Sequence, residues 1–486
     1  MGSQGVGPRN LKLHEVSAFQ VENDPDESLK WKGTSRRLEP QNPKGAVQVC
    51  RCVSTASART LGAEQASGRV FRQIGAEQAH TVGMAQKSRT YSVAVGAAVT
   101  ALLVSLCVDS AAVAGPTGAT TRSLHPAACT KSWSVVKSPN RGTGANALYG
   151  VSADSPTDAW AVGYQTTSTG VEHTLIERWD GVHWTVVPSP NAGSDFLYAV
   201  SADSPTDAWA VGGTNLPPTG NRKTLVEHWN GLTWSISPAL NTKKANDDLT
   251  SVVAFATDNV IAVGTDGTNQ STANLPLAEV WNGASWSKGN PPSPVGSTDS
   301  TLSGIGATSP SDVWAVGSAT VGIDSNPIIE HSGGGGAFSL VPSPALGLSF
   351  GLLGGVAGIS TTDAWAVGQD GTSTGRTLAE HWNGLSWSVV VTPNPGIGDN
   401  ELTKVAAVGT SDVWASGYAD NGSVWQTLVE HWDGSAWSAV STPSPGTGYD
   451  VLWGIATSGT DGFAVGSTQA APGSPNQTLV ERACGI

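Results

Sequence analysis

The sequence predicts an all-β protein, a seven-bladed β-propeller with four-stranded blades, and three observations carry that prediction. First, the column Asp-x-Trp-Ala-x-Gly recurs at Trp160, Trp209, Trp314, Trp365 and Trp414, and weaker copies put Ile261 and Phe463 in the Trp position. Successive copies therefore stand 49, 52, 53, 51, 49 and 49 residues apart. A strand-rich repeat of that length is a propeller blade: one unit cannot bury its apolar face alone, and stacked neighbours cover it. Second, each copy divides into short runs rich in β-branched and aromatic residues, separated by turn signals. Third, no segment carries a helical apolar period.

Within a copy, the first strand is expected to start at a Leu, twelve residues before the Trp column in six of the repeats, as in Leu197-Tyr-Ala-Val. The Trp segment is the second strand, and the third is typified by Thr224-Leu-Val-Glu-His-Trp229. A tight Asn-Gly or Asp-Gly turn of type I′ then leads to the fourth, for example Trp234-Ser-Ile-Ser, since both central residues of such a turn need positive φ. Trp179-Asp-Gly-Val-His-Trp184 gives that hairpin in full, and it recurs at 229–234, 281–286, 382–387 and 432–437. The fourth repeat replaces it with Ser332-Gly-Gly-Gly-Gly-Ala-Phe338.

The frame of the repeat predicts how the ring closes. The chain opens its repeats with a lone fourth strand, Trp133-Ser-Val-Val, and ends them with a lone third strand, Thr478-Leu-Val-Glu-Arg-Ala483. The last blade then combines three C-terminal strands with an outer strand from the N-terminal side. Cys129 precedes Trp133 by the same four residues that separate Asp180 from Trp184. Cys484 follows its third strand as Asp180 follows Thr174-Leu-Ile-Glu-Arg-Trp. Both cysteines thus occupy one turn column of a hairpin whose chain is cut. A disulfide between them is expected in place of the missing turn.

Export is read from the segment before the repeats. Met84 opens a stretch with Lys87 and Arg89, an uncharged run over 91–108, and Ala112-Val-Ala114 before Gly115. A basic start, a short apolar core and an Ala-x-Ala site make a secretory signal peptide. The expected organisation is an upstream disordered extension at 1–83, a signal peptide at 84–114, a linker at 115–128 and the propeller at 129–486. Localisation is then secreted and extracellular, with no membrane contact in the mature form, and oxidising conditions suit the disulfide. The rival is a cytosolic tail on a signal anchor, which leaves the same propeller outside but tethered.

Charge narrows the partners. From Gly115 onward there are 13 Lys or Arg against 30 Asp or Glu. An acidic surface argues against nucleic acid and anionic membrane, which need clustered cations. Two acidic columns recur. Glu177, Glu227, Glu279, Glu330, Glu380, Glu430 and Glu481 share one third-strand position, and Asp158, Asp207, Asp312, Asp363, Asp412 and Asp461, with Asn259, share the turn into the second strand. Copies spaced round a ring do not converge on one ion, so both columns read as structural. Each Asp is expected to cap its own turn. Each Glu, placed opposite the Trp of the following strand, is expected to accept hydrogen bonds between blades. The Trp columns read as packing wedges. His228, His331, His381 and His431 also stand one per blade, and His173 and His183 lack a partner at ligand spacing, so no metal site is expected. No Gly-x-Ser-x-Gly, His-Glu-x-x-His or phosphate-cradling Gly loop occurs, and no catalytic residue or cofactor is assigned.

Function is sought where the repeat breaks its symmetry. The loops before the first strand and between strands two and three vary widely, as in 164–173, 213–223, 265–276 and 369–376, whereas the opposite hairpin barely changes. Loops on a rigid scaffold carry function, so the variable end is the expected binding face. Tyr149, Tyr198 and Trp453 occupy a first-strand column held elsewhere by Thr, Ser or Gly. Lys404 enters the neighbouring column, otherwise Gly, Ala or Ser, and Trp425 is an extra Trp expected in a loop. The aromatics suit stacking on sugar rings, and Lys404 suits an anionic group.

The pattern Leu-x-Gly-Val … Asp-x-Trp-Ala-Val-Gly … Leu-x-Glu-His-Trp-Asn-Gly-x-x-Trp over 129–486 resembles that of secreted bacterial propeller repeat proteins, loosely related to kelch and galactose-oxidase central domains. The resemblance implies the architecture, on a fold that hosts lectins, lyases, hydrolases and scaffolds. Joined to the absence of a convergent acid–base set, it leads to the expectation of a monomeric, non-catalytic binding module. Its ligand would be a carbohydrate or another extracellular partner such as a protein. The alternative is a lyase or glycoside hydrolase with its site at the propeller axis.

Overall fold

The computed structural model describes residues 131–215, 222–240, 246–267, 274–347 and 349–486. The expected extension, leader and linker, together with Cys129, lie outside them. Among the described residues every regular element is a β-strand. β1 is Ser134–Val135, and β2 (Asn146–Ser155), β3 (Asp158–Thr166), β4 (Glu172–Trp179) and β5 (Trp184–Val186) form an antiparallel four-stranded sheet in that order. The same four-stranded set starts again at Ser194, Asn246, Ser297, Phe350 and Asn400. A last set takes Asp450–Ser458, Asp461–Thr468 and Gln477–Cys484 from the C-terminal end and β1 as its outer strand, with Ser134 opposite Arg482 and Val135 opposite Glu481. The first strands neighbour one another in sequence order, and the strand at Asp450–Ser458 neighbours β2. Two sets merge into one eight-stranded sheet, because Ser325 bridges Phe350 in parallel register and its N–H donates to the Ser349 carbonyl at 3.2 Å.

Every first strand begins before its Leu: β2 starts at Asn146 ahead of Leu148, and the strand at Ser297 runs well ahead of Leu302. The extra residues mix polar and apolar types, from Asn146 to Phe196, Leu352 and Val451, and pair with the second strand beyond its Gly, so the apolar pattern alone does not reveal them. One residue after each Leu the register slips, at Tyr149, Tyr198, Thr250, Ser303, Gly354, Thr403 and Trp453. These are β-bulges, which leave a residue unpaired and re-aim its side chain. The Gly that ends each Trp-Ala-x-Gly segment faces the slip. A Cβ on Gly163 would stand 1.9 Å from the Ala147 carbonyl oxygen, and one on Gly417 1.8 Å from that of Glu401. Only Gly fits there.

Tryptophan joins the sheets. Trp160 of β3 lies 5.1 Å, centroid to centroid, from both Trp229 and Trp234 of the next sheet. Trp365 meets Trp432 and Trp437 in the same way, and Phe463 meets Trp179 and Trp184. Trp414 reaches Trp133, beside β1. Where the clamp is degenerate, so is the wedge: Ile261 shares a core cluster with Phe338, the position that follows the Gly run. The reading of the Trp columns as packing wedges agrees with these contacts.

The Glu column accepts hydrogen bonds between sheets, as expected, at three of its seven positions and from a different register. Both oxygens of Glu227, Glu330, Glu430 and Glu481 are unpartnered among the described residues. The Asp column is structural by a geometry that differs from the expected cap. The third-strand Glu residues are fully buried. Glu177 stands opposite Ala161 and Val186, while Trp179 faces Trp184, so the Glu lies two places from the expected Trp partner. Its Oε2 accepts from the Ser138 hydroxyl at 2.8 Å, Glu380 accepts from Ser343 at 3.0 Å, and Glu279 accepts from the Leu240 N–H at 3.0 Å. Each donor follows the outer strand of the preceding sheet. The Asp carboxylates pair with the third strand and do not cap their own turns. Arg178 donates two bonds at 2.8 Å to Asp158, and His331, His381 and His431 bond Asp312, Asp363 and Asp412 at 2.7, 2.9 and 2.9 Å. The His ring or Arg guanidinium lies against the column Trp, as His431 does on Trp414 at 4.0 Å and 22° and Arg178 over Trp160 at 4.8 Å. Position 259 carries Asn where position 280 carries Val, so the carboxylate and its cation are lost together. The turn itself is closed by serine: Ser155 Oγ accepts the Thr157 N–H.

The hairpins also differ from type I′. Trp179 pairs with Trp184, which leaves a four-residue loop. Asp180 Oδ1 accepts from the N–H groups of Val182 and His183 at 2.8 and 2.6 Å, and Gly181 sits at φ 94°. The side chain organises the turn, as an Asx motif does.

Candidate functional site

The bulge residues come from all seven first strands and face one opening. A cavity of about 310 Å³ is lined by Tyr149, Tyr198, Thr250, Ser303, Gly354, Thr403 and Trp453, with Leu352, Glu401 and Lys404. Behind it a narrower space of about 140 Å³ is walled by the next two residues of each strand, small in all but Lys404 and then β-branched. Tyr149, Tyr198 and Lys404 line both spaces. In this column, small side chains allow neighbouring strands to meet: a Cβ on Gly150 would stand 2.7 Å from the Ala199 Cα.

Side-chain size divides the opening into two halves. Thr250, Ser303, Gly354 and Thr403 are small, and the threonines turn back onto the backbone. Thr403 Oγ1 donates to the Ser416 or Leu452 carbonyl, at 2.9 and 2.8 Å. Across the opening the aromatics form a continuous arc. Tyr149 contacts Tyr198 at 5.5 Å, Trp453 at 6.0 Å and Tyr164 at 5.9 Å, the last nearly parallel at 23°. Trp453 continues to Tyr418 at 6.4 Å, and Tyr418 stacks on Trp425 at 4.4 Å and 22°. Trp425 in turn meets Tyr449, which is 41% exposed. At the far end Phe196 joins Tyr164 and Tyr198. Trp425 lies in no loop: it opens the strand Trp425–Trp432 opposite Asp420. Five aromatics of the arc, Tyr164, Phe196, Tyr418, Trp425 and Tyr449, stand outside the bulge column, and of these the sequence reading marks Trp425 alone. The signal of the others is an aromatic just past the second-strand Gly for Tyr164 and Tyr418 and just before the first-strand Leu for Phe196, whereas Tyr449 lies ahead of its strand and carries no such mark.

Charged groups sit at both ends. Arg222 lies over the Phe196 and Tyr198 rings, donates to the Tyr198 hydroxyl at 2.5 Å and pairs with Asp248 at 3.1 Å. Burial raises the Asp248 carboxyl to about 6, against the pull of Arg222. These residues continue into an open polar groove of about 540 Å³ with Asn215, Asn246 and Asn274. Near the other end Glu401 accepts the Tyr418 hydroxyl at 2.9 Å, and burial raises its carboxyl. Lys404 Nζ donates to the carbonyls of Ser303 at 2.7 Å and Gly354 at 2.8 Å, on two other first strands. Burial lowers its ammonium to about 8. Among the described residues no cluster of three metal-ligating side chains occurs. Of the variable loops, 216–221 and 268–273 lie outside the described residues.

No family model matches the chain, and no curated protein does. Solved structures of β-propeller proteins are similar in fold. One is described as YCF48 bound to D1 peptide, at 15% identity and TM-score 0.44, covering 74% of this chain and 99% of that one. A GH74 xyloglucanase from Xanthomonas campestris, at 15% identity and TM-score 0.44, covers 71% of this chain, which spans 55% of the enzyme. A fucose-specific lectin from Aleuria aurantia has 15% identity and TM-score 0.38, with 63% and 100% of the two chains covered.

Proposed function

We propose that the protein is a secreted, non-catalytic binding module, a closed seven-bladed propeller that takes a carbohydrate at the opening formed by its first strands. The observation that carries this reading is the aromatic arc from Phe196 to Tyr449 beside a cavity of about 310 Å³. Stacked aromatic faces match the apolar faces of sugar rings, and the volume falls within the range of small-molecule sites. Seven bulges aim one residue each into the opening, and the large aromatics on one side leave space on the other. A groove of polar side chains leads away from it past Arg222, which suits an oligosaccharide better than a single sugar.

The reading as a lyase or glycoside hydrolase is weaker. Hydrolysis of a glycosidic bond ordinarily needs two carboxyl groups flanking the bond, and Glu401 is the one carboxylate among the residues lining the opening. A glycan array with a parallel screen for turnover on polysaccharides tests both readings. Binding without turnover supports the module, turnover supports the enzyme, and a protein ligand with no glycan bound overturns the carbohydrate assignment.

A further inference from the structure

Lys404 departs from the repeat, and a second departure faces it across the ladder. The same register position holds Gly150, Ala199, Ser251, Gly304, Gly355 and Gly454 in the other first strands. The cross-strand partner of Lys404 is Ser416, where the other six second strands carry Val. A Cβ built on Gly304 or Gly454 would stand 3.3 Å from a Cγ2 of that Val, so Ser416 removes a methyl group that crowds the position. Ser416 is fully buried, and its hydroxyl has no hydrogen-bond partner, a costly arrangement in a core. Lysine and serine break the pattern at facing positions.

The lysine is held between the two cavities. Two of its three donors are taken by the Ser303 and Gly354 carbonyls, and a lysine ammonium has three. Among the described residues no carboxylate lies within ion-pair distance of Nζ, and no neighbouring charge offsets the burial that lowers its pKa to about 8. Glu401 lines the same opening, but its Oε2 is engaged by the Tyr418 hydroxyl. A desolvated cation without a counter-charge favours an anion that brings one. Trp453 and Tyr149 line the cavity beside it.

We infer that the opening selects an anionic saccharide, its charged group on Lys404 Nζ and its sugar ring against Trp453 and Tyr149. This rests on the carbohydrate reading above and names the ligand class within it. The shared chemistry is a single anionic substituent on a pyranose, carboxylate or sulfate.

The test is calorimetric, on the full secreted protein. The probes are an oligogalacturonate, its methyl ester, a neutral galactose oligomer and its sulfated counterpart. The expected result is tighter binding of a charged oligomer than of its neutral partner, by about tenfold for one charge-assisted hydrogen bond. The preferred charged probe identifies the substituent. In Lys404→Met the charged-to-neutral ratio falls to about one, and in Lys404→Arg, which keeps the charge and controls for folding, a preference remains. Equal binding of charged and neutral oligomers overturns this inference and leaves the carbohydrate reading standing. No binding of any of these oligomers at millimolar concentration overturns this inference, and if the glycan array is silent as well the carbohydrate reading falls with it.

Discussion

Phe463 packs edge-on against Trp184, with ring centroids 5.9 Å apart at 88°, so the last copy of the motif meets the first. Phe463 is fully buried. It occupies the wedge position that Trp160 takes against Trp229 and Trp234. Truncating a buried aromatic costs about 3–5 kcal/mol. Phe463→Ala is therefore expected to lower the melting temperature clearly, whereas Leu232→Ala, at an 83% exposed hairpin tip, leaves it nearly unchanged. Equal effects from the two would show that the C-terminal and N-terminal sheets do not support each other.

The buried Glu column makes stability depend on pH with a definite sign. Burial raises Glu177, Glu330, Glu430 and Glu481 to about 8, and Glu279 and Glu380 to about 7. The folded state thus binds protons more tightly than the unfolded one. The associated stability is fully present below about pH 4.5 and is lost as pH rises through 7–8. The melting temperature is expected to fall between pH 5 and pH 8. Glu380→Gln keeps the Ser343 contact without the charge and is expected to recover on the order of 1–3 kcal/mol at pH 8. Thermal melts of both proteins across that range check this. A flat wild-type profile removes the argument.

The repeat period, the four-strand division and the Trp wedges were legible because each is written as a column, and a column survives without an alignment. The pairing of Asp312 with His331 was not. Both columns were visible, but sequence spacing does not show that the start of the second strand lies beside the end of the third. The bulge was hidden for a similar reason. Tyr149 and Trp453 stood out as large residues in a small-residue column, yet only the register slip explains why they turn into one opening. Tyr418 and Trp425 were harder still, because their stacking joins positions that no repeat rule links. Ser416 was plain in the sequence, and its meaning depends on facing Lys404.

The cysteine pair is a prediction about closure. Cys484 ends the strand that β1 covers, and Cys129 shortly precedes β1 in sequence. Peptide mapping under non-reducing conditions is expected to recover Cys129 linked to Cys484. In the chain-entropy treatment, closing so long a loop contributes about 5–6 kcal/mol at most, so Cys129→Ser is expected to lower thermal stability substantially. Two thiols that alkylate readily in the folded protein would contradict the pairing.

Processing gives a separate check. The Ala112-Val-Ala114 site precedes Gly115, and a small-x-small triplet is what signal peptidase cleaves after. N-terminal sequencing of exported protein is expected to begin at Gly115. Protein retained in the membrane fraction, or carrying residues before Met84, would count against the leader.

The aromatic arc allows a test in which affinity and stability separate. Tyr198 and Trp453 are bulge residues at the opening, half-buried and unpaired in the ladder, so their loss leaves the sheets' hydrogen bonds intact. A stacked ring contributes on the order of 1 kcal/mol. Trp453→Ala and Tyr198→Ala are each expected to weaken glycan binding several-fold, with small changes in melting temperature. Trp425→Ala acts through Tyr418, on which it stacks at 4.4 Å, and is expected to weaken binding less. Glu380→Ala runs the other way: it deletes a buried carboxyl that joins two sheets through Ser343, so stability falls first and binding only as a consequence. Measuring both quantities on all four variants checks the assignment. If Trp453→Ala destabilises the fold as much as Glu380→Ala and leaves affinity unchanged, the arc is packing and the binding face lies elsewhere.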